Sequence, residues 1–166
     1  SLADALDILR ARDVQSVAVA FLHSYLNPEN ERAVAAAVQA ALPHVSVSIS
    51  SAVAPIAGEY ERTSTVAADA FTKPVVRDYV GELETALRDG GARAPLHLML
   101  SSGEIASAAT GTDRPVRLLE SGPAAGAIAA AFFGNLAGYQ DTLSLDMGGT
   151  TAKACLIENG RPELAQ

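Results

Sequence analysis

Apolar positions along the chain change period several times, and each change predicts an element. Leu2, Ala5, Leu6 and Leu9 recur at helical spacing and mark one face of a short helix. Residues 13–15 turn the chain into residues 16–22, a short apolar run of the kind that forms a buried strand. Asn27 and Pro28 read as the cap and first-turn residue of a helix that continues over 33–42 until Pro43 stops it. Residues 45–50 alternate Val, Ser, Val, Ser, Ile, Ser, the period of a strand with one covered face. The order αβαβ predicts the α/β class, a layered sheet with helices.

Downstream the pattern turns helical. Residues 59–71 and 74–88 predict two helices separated at Lys73-Pro74, with Gly90-Gly91 closing the second. Residues 96–100 predict a third buried strand, broken by Ser101-Ser102-Gly103. A short helix over 104–109 and a loop over 111–114 follow. Residues 123–133, dominated by Ala, Gly and Ile, predict a helix with so little bulk that a neighbour approaches its backbone closely, making Gly126 a position that overpacks when enlarged. Residues 142–145 and 152–157 predict two further strands, and Asn159-Gly160 a tight turn. Over 141–157 these strands should pair around Gly148-Gly149, with Leu143 and Leu145 on one face. The free edge of that hairpin predicts either loss of fixed structure or pairing with a second copy, a homo-oligomer.

Composition narrows the function classes. The 166 residues are 49% hydrophobic and 19% charged, enough to bury a core, which excludes a disordered chain. Nineteen acidic against 12 basic residues leave a net charge of -7, which disfavours nucleic acid as partner. One cysteine and three scattered histidines exclude a disulfide framework and a zinc spacing, and fit a cytoplasmic setting. No apolar run reaches the roughly 18 residues of a membrane span. Alanine occurs 33 times and aromatics make up 5%, so helices should pack through small side chains. The chain opens at Ser1 in a helical pattern and ends just after a strand, as expected of a piece of a longer protein.

The chemistry concentrates at Asp146-Met147-Gly148-Gly149-Thr150-Thr151-Ala152-Lys153. A carboxylate ends an apolar strand, and two glycines and two hydroxyls follow before the next strand. Glycines admit close backbone approach to a phosphate, hydroxyls add donors, and a carboxylate with phosphate oxygens suits Mg²⁺. A plain hairpin turn with a capping Asp fits the same residues. Lys153 either neutralises a phosphate or is a solvated strand residue, and Arg62 either binds an anion or pairs with Glu59 or Glu61. Ser102 and Gly103 follow a strand, where α/β sheets place ligands. Cys155 reads as a small core residue. His23 and Ser24, adjacent on a strand, point to opposite faces and make no nucleophile–base pair. No G-x-G-x-x-G follows the first strand, which excludes a dinucleotide-binding dehydrogenase.

Glu120-Ser121-Gly122-Pro123-Ala124-Ala125-Gly126, followed by a strand and the D-x-G-G-T loop, resembles the actin, sugar-kinase and chaperone ATPase fold. It implies a partial actin-like (ribonuclease H-like) ATPase domain. A fuller resemblance adds Phe21-Leu22-His23-Ser24-Tyr25-Leu26-Asn27-Pro28-Glu29-Asn30-Glu31, Glu59-Tyr60-Glu61-Arg62-Thr63-Ser64-Thr65 and Met99-Leu100-Ser101-Ser102-Gly103. In that order, these motifs resemble the hydantoinase/oxoprolinase family, with Asn30 where its N-P-x-H-E motif carries histidine.

The resemblance implies two regions, 1–115 from the family's N-terminal part and 116–166 from the start of its ATPase subdomain. It implies an ATP-dependent hydrolase that opens a hydantoin or 5-oxoproline ring by phosphorylating the amide oxygen, or a ketone carboxylase using the same phosphorylation, with a non-catalytic or kinase-like actin-fold module as the remaining alternative. ATP and Mg²⁺ are the implied cofactors, with a small cyclic amide as substrate and a hydantoinase B-type subunit as partner. Asp146 is then the catalytic and metal-binding residue, and Gly148, Gly149, Thr150, Thr151, Lys153 and Gly122 bind the nucleotide. Arg62, Ser102 and Gly103 face the substrate. The resemblance places the other phosphate loop and the adenosine site outside these residues, so the chain alone should not turn over ATP.

Overall fold

Alternation over residues 45–50 separates two covered faces, not a covered face from a wet one. The computed structural model describes residues 1–163; the segment after Glu163, read from the sequence as lying past the last strand, is outside the described residues. In chain order the elements are α1 (Leu2–Ala11), β1 (Ser16–Val19), α2 (Glu29–Ala41), β2 (Ser46–Ile49), α3 (Ser50–Val53), α4 (Glu59–Asp89), β3 (His97–Met99), β4 (Ile105–Ser107), α5 (Ala108–Asp113), a 3₁₀ turn (Pro115–Leu118), α6 (Ser121–Leu136), β5 (Thr142–Met147), β6 (Ala152–Glu158) and β7 (Arg161–Pro162). The α/β class is as expected, with the strands in three short sheets: β1–β2 parallel, β3–β4 antiparallel, and β5–β6–β7 antiparallel.

The chain forms two compact units, Ser1–Ala94 with Thr112–Val116, and Pro95–Gly111 with the residues from Arg117 on. The chain passes between the units at 94/95, 111/112 and 116/117, the last of these one residue from the boundary expected at 115/116. Pro95–Gly111 joins the later segment because Ser101 N–H donates to the Arg117 carbonyl (2.7 Å) and Arg117 reaches Glu104 (2.9 Å).

In the first unit, Val17 and Val47 are register partners and pack on the core of Val38, Leu42 and Val45, with Leu6, Leu9 and Val34 around it. The serines of β2, and Ser50 at the start of α3, meet α4 instead. Arg77 donates to Ser46 Oγ (3.1 Å), Ser48 Oγ donates to Asp69 (2.7 Å), and Arg62 Nε donates to Ser50 Oγ (2.9 Å). As the strand runs 46, 48, 50 the helix runs 77, 69, 62, so α4 lies antiparallel to β2. The two helices expected over 59–71 and 74–88 are one helix of 31 residues with Pro74 inside it. An interior proline costs a helix about 3 kcal/mol. Here Arg62, Val66, Asp69, Ala70, Pro74 and Val80 form one buried stripe that runs through the proline in phase, and packing outweighs the lost bond.

Where β1 and β2 end, the first unit buries ions. Glu31 is fully buried and accepts from Phe21 N–H (3.0 Å), Ser24 Oγ (2.8 Å), Ser50 Oγ (2.5 Å) and Ser51 N–H (2.8 Å). Arg62 is equally buried and donates to Ser50, to the carbonyls of Ile56 (2.9 Å) and Phe21 (2.7 Å), and to Glu59. Its guanidinium lies 5.6 Å from the centroid of the Tyr25 ring. Glu59 in turn accepts from the N–H of His23, which holds a left-handed φ of 56°. The strand expected over 16–22 therefore stops at Val19, because this network pins residues 21–24 as a turn. Pro28 takes the cap position of α2 that the sequence assigns to Asn27, and Asn27 Oδ1, one residue earlier, accepts from Glu29 N–H (3.1 Å).

The second unit departs most from expectation at 104–109, where a helix was predicted. Residues 105–107 pair with β3 instead, and helix begins at Ala108. The loop expected over 111–114 is helical through Asp113. The hairpin forms as read, Leu143 and Leu145 sharing an exposed face. Helix α6 packs on β5, β6 and β7 through Ala127 and Ala131, both buried, and Gly134, where an added Cβ would meet Thr142 Cγ2 at 3.2 Å. Gly126 points elsewhere, and an added Cβ there meets nothing within 4 Å. Overpacking is thus expected at Ala131 and not at Gly126.

Two outcomes follow. Burial pushes the Glu31 carboxyl up, but bonds from Ser50, Ser51 and Ser24 outweigh it and hold it at about 2 instead of 4.5. A carboxyl with a lowered folded pKa stabilises the fold above its unfolded value, and that stability drains away as pH falls from about 4.5 toward 2. Glu31→Gln should lose about 3 kcal/mol at pH 7 and flatten the acid limb between these values, read by urea unfolding at a series of pH. Ala131→Leu should cost about 1–3 kcal/mol, whereas Gly126→Ala should gain up to about 1 kcal/mol, read by thermal melts.

Candidate functional site

The β5–β6 register sets the site. Asp146 lies directly opposite Lys153 and Ser144 opposite Cys155, so all four share one face of the hairpin. That face lines a cavity of about 450 Å³ within the second unit, in the range of small-molecule sites. Ser101, Ser102 and Gly103, from the turn after β3, form another part of the wall. Helix α6 supplies apolar lining through Pro123, Ala127 and Ile128, with Glu120 at its start.

Gly103 has a φ of 83°, a left-handed backbone that favours glycine, and a Cβ on it would push the tip of the Ile128 side chain aside. Ser102 Oγ donates to Glu104 (3.0 Å), which also holds Arg117. Glu120, the residue before α6, has a φ of 65° and makes no side-chain cap. Its carboxylate pairs instead with the Lys153 ammonium. The sequence placed Glu120 inside a motif but carried no sign of this pair, which joins residues 33 apart.

Of the sequence-predicted residues, the structure gathers Asp146, Lys153, Ser102 and Gly103 at the cavity. Gly148, Gly149, Thr150 and Thr151 form the exposed turn beyond Asp146 and do not line it. Gly148 N–H is spent on the Thr151 carbonyl (2.9 Å), closing that turn. Neither Gly148 nor Gly149 has a positive φ, and a Cβ at Gly149 would touch nothing within 4 Å. Among the described residues, no packing contact asks for glycine at 149. Gly122 is likewise exposed and uncontacted in the first turn of α6, outside the cavity lining. Arg62 belongs to the first unit, where its fully buried guanidinium is spent on Ser50, Ile56, Phe21 and Glu59. As a free anion-binding group Arg62 is corrected to a buried structural cation. Cys155, expected in the core, is half-buried at the cavity wall.

Among the described residues no three His, Cys, Asp or Glu side chains converge into a metal cage. Asp146 therefore offers one carboxylate, which fits a Mg²⁺ ion that takes its remaining oxygens from phosphate and water. Among the described residues no helix is long and apolar enough to cross a membrane.

Comparison with known proteins agrees with the order of motifs. The family model for hydantoinase/oxoprolinase matches residues 62–166, and that for the hydantoinase/oxoprolinase N-terminal region matches 1–42. An uncharacterized protein of Methanocaldococcus jannaschii is 39% identical over 94% of this chain and 23% of its own length. Caprolactamase subunit alpha of Pseudomonas jessenii is 33% identical over 98% of this chain and 23% of its own. A nucleotide-free structure of acetone carboxylase, described under ATP-dependent acetone carboxylation, superposes with a TM-score of 0.82 at 28% identity, covering 98% of this chain and 24% of that one. The chain thus spans about a quarter of the length of these relatives. With a family model matched over more than half its residues, the chain belongs to the hydantoinase/oxoprolinase family.

Proposed function

We propose that this chain is a segment of a cytoplasmic ATP-dependent cyclic amidohydrolase, and that the β5–β6 hairpin is its phosphate-binding element. The observation that carries the reading is the Asp146–Lys153 pair, an acid and a base in register at the mouth of a glycine turn and on the wall of a cavity. Among the described residues nothing packs against Gly149, which supports a turn kept bare for something that approaches from outside the chain.

A ring amide resists hydrolysis because resonance makes its carbonyl a poor electrophile. Transfer of a phosphoryl group to the amide oxygen turns that oxygen into a leaving group, and water then attacks the carbon. In this reading Lys153 offsets phosphate charge, and the Thr150 and Thr151 hydroxyls and the turn's N–H groups orient the phosphate. Gly122 leaves the start of α6 open to the nucleotide, and Asp146 is the carboxylate available to Mg²⁺, which when bound neutralises phosphate charge. Ser102 and Gly103 bound the substrate side.

The substrate in this reading is a small cyclic amide, hydantoin, 5-oxoproline or a lactam. A hydantoinase B-type subunit is the proposed partner, since the caprolactamase relative is named as a subunit. A ketone carboxylase using the same phosphorylation is the second reading, favoured by the likeness to acetone carboxylase.

Asp146→Asn in the full-length protein should lower ATP-dependent ring opening about 100-fold or more while circular dichroism stays unchanged. Turnover of hydantoin, 5-oxoproline and caprolactam at saturating ATP is the measurement. Unchanged rates would remove Asp146 from the site. The 166-residue chain by itself should show no steady ATPase activity.

A further inference from the structure

The phosphate reading leaves one group unexplained. Among the described residues lining the cavity Lys153 is the one cation, while Asp146, Glu120 and Glu163 are carboxylates. Lys153 is not free, because Glu120 holds its ammonium. With Lys153 neutralised by Glu120, the two remaining carboxylates repel a polyphosphate.

We infer that Glu120 is an internal counter-anion, a carboxylate that occupies Lys153 until a phosphate group displaces it, and that it thereby sets how tightly the cavity takes phosphate. The inference rests on the phosphate reading of the hairpin.

Two observations carry it. The first is the exposure of the pair. The side chains of Lys153 and Glu120 are 39% and 63% exposed, and an ion pair so open to water is weak and exchanges readily. A phosphate brings more charge and more acceptors to the same ammonium than one carboxylate does. The second is the backbone of Glu120. A φ of 65° is unfavourable for a residue with a Cβ, and Glu is not among the types that tolerate it well. Its side chain caps nothing in α6, so helix capping does not account for the conformation. What that conformation accompanies is a carboxylate set on Lys153, and Glu120 itself lines the cavity. Strain at a cavity wall with no local structural return points to a role in what the cavity binds.

Cys155 provides the readout. It is the chain's only cysteine, it lines the same cavity, and it faces the same side of the hairpin as Lys153. The experiment alkylates the full-length protein with iodoacetamide in the presence of Mg²⁺ and increasing sodium tripolyphosphate, with sodium sulfate at matched ionic strength as control, and follows the Cys155-containing peptide by mass spectrometry. Tripolyphosphate should slow alkylation where sulfate does not. Glu120→Gln should lower the half-protecting concentration about fivefold, and Glu120→Gly, at ease with the left-handed backbone, should do the same. Lys153→Gln should raise that concentration about tenfold. Equal protection of wild type and both Glu120 variants overturns the counter-anion role and leaves the phosphate reading standing. Absence of protection in wild type and in both Glu120 variants overturns both.

Discussion

An ionised carboxylate with no access to water must find its hydrogen bonds inside the chain, and the first unit is organised around that demand. Glu31 draws donors from the turn after β1, from Ser50 and from Ser51. Those residues in turn position the acceptors that satisfy Arg62. The carboxyl ends of two parallel strands, the first turn of α2 and the first turns of α4 are thereby fixed to one another by polar bonds in a site closed to water. Such a network is stabilising only when complete, since each missing partner leaves a desolvated charge. The same arrangement holds His23 in its left-handed conformation through Glu59.

The second unit is built on a different principle. Its helix meets its sheet through Ala127, Ala131 and Gly134, side chains too small to keep the backbones apart. Close packing of this kind leaves the polar residues of the hairpin free for the cavity, and it is there that acids, a lysine and a thiol gather. In the first unit buried charge is spent on the fold, whereas in the second the charges remain at a surface where a ligand can use them.

Much of this was legible in the sequence because period and turn chemistry are local. The hairpin around Gly148-Gly149, the Asn159-Gly160 turn, the small-residue helix and the Gly90-Gly91 stop all follow from residues near one another in the chain. Asp146, Lys153, Ser102 and Gly103 meet at one cavity for the same reason, since each sits on or just after a strand. What was illegible depended on distant partners. Pro74 looked like a helix break because nothing local reveals that the buried stripe of α4 continues through it. Arg62 looked available because its acceptors, the Phe21 and Ile56 carbonyls and Ser50, lie 41, 6 and 12 residues away. The alternation of residues 45–50 was read as covered against wet because serine is polar. Its hydroxyls were already committed to a helix that begins nine residues after the last of them.

The serine face of β2 has a consequence for the alternatives open to the chain. Arg77, Asp69 and Arg62 meet Ser46, Ser48 and Ser50 with signs that alternate along the helix. A greasy interface tolerates small slippage, because one methyl group replaces another at little cost. Sliding α4 by one turn would instead strand Asp69 and Arg62 in the interior opposite the wrong groups, and no intermediate position satisfies them. Competing alignments of this helix are thus separated from the native one by a wide energy gap, and the long rod has a single seat on its sheet.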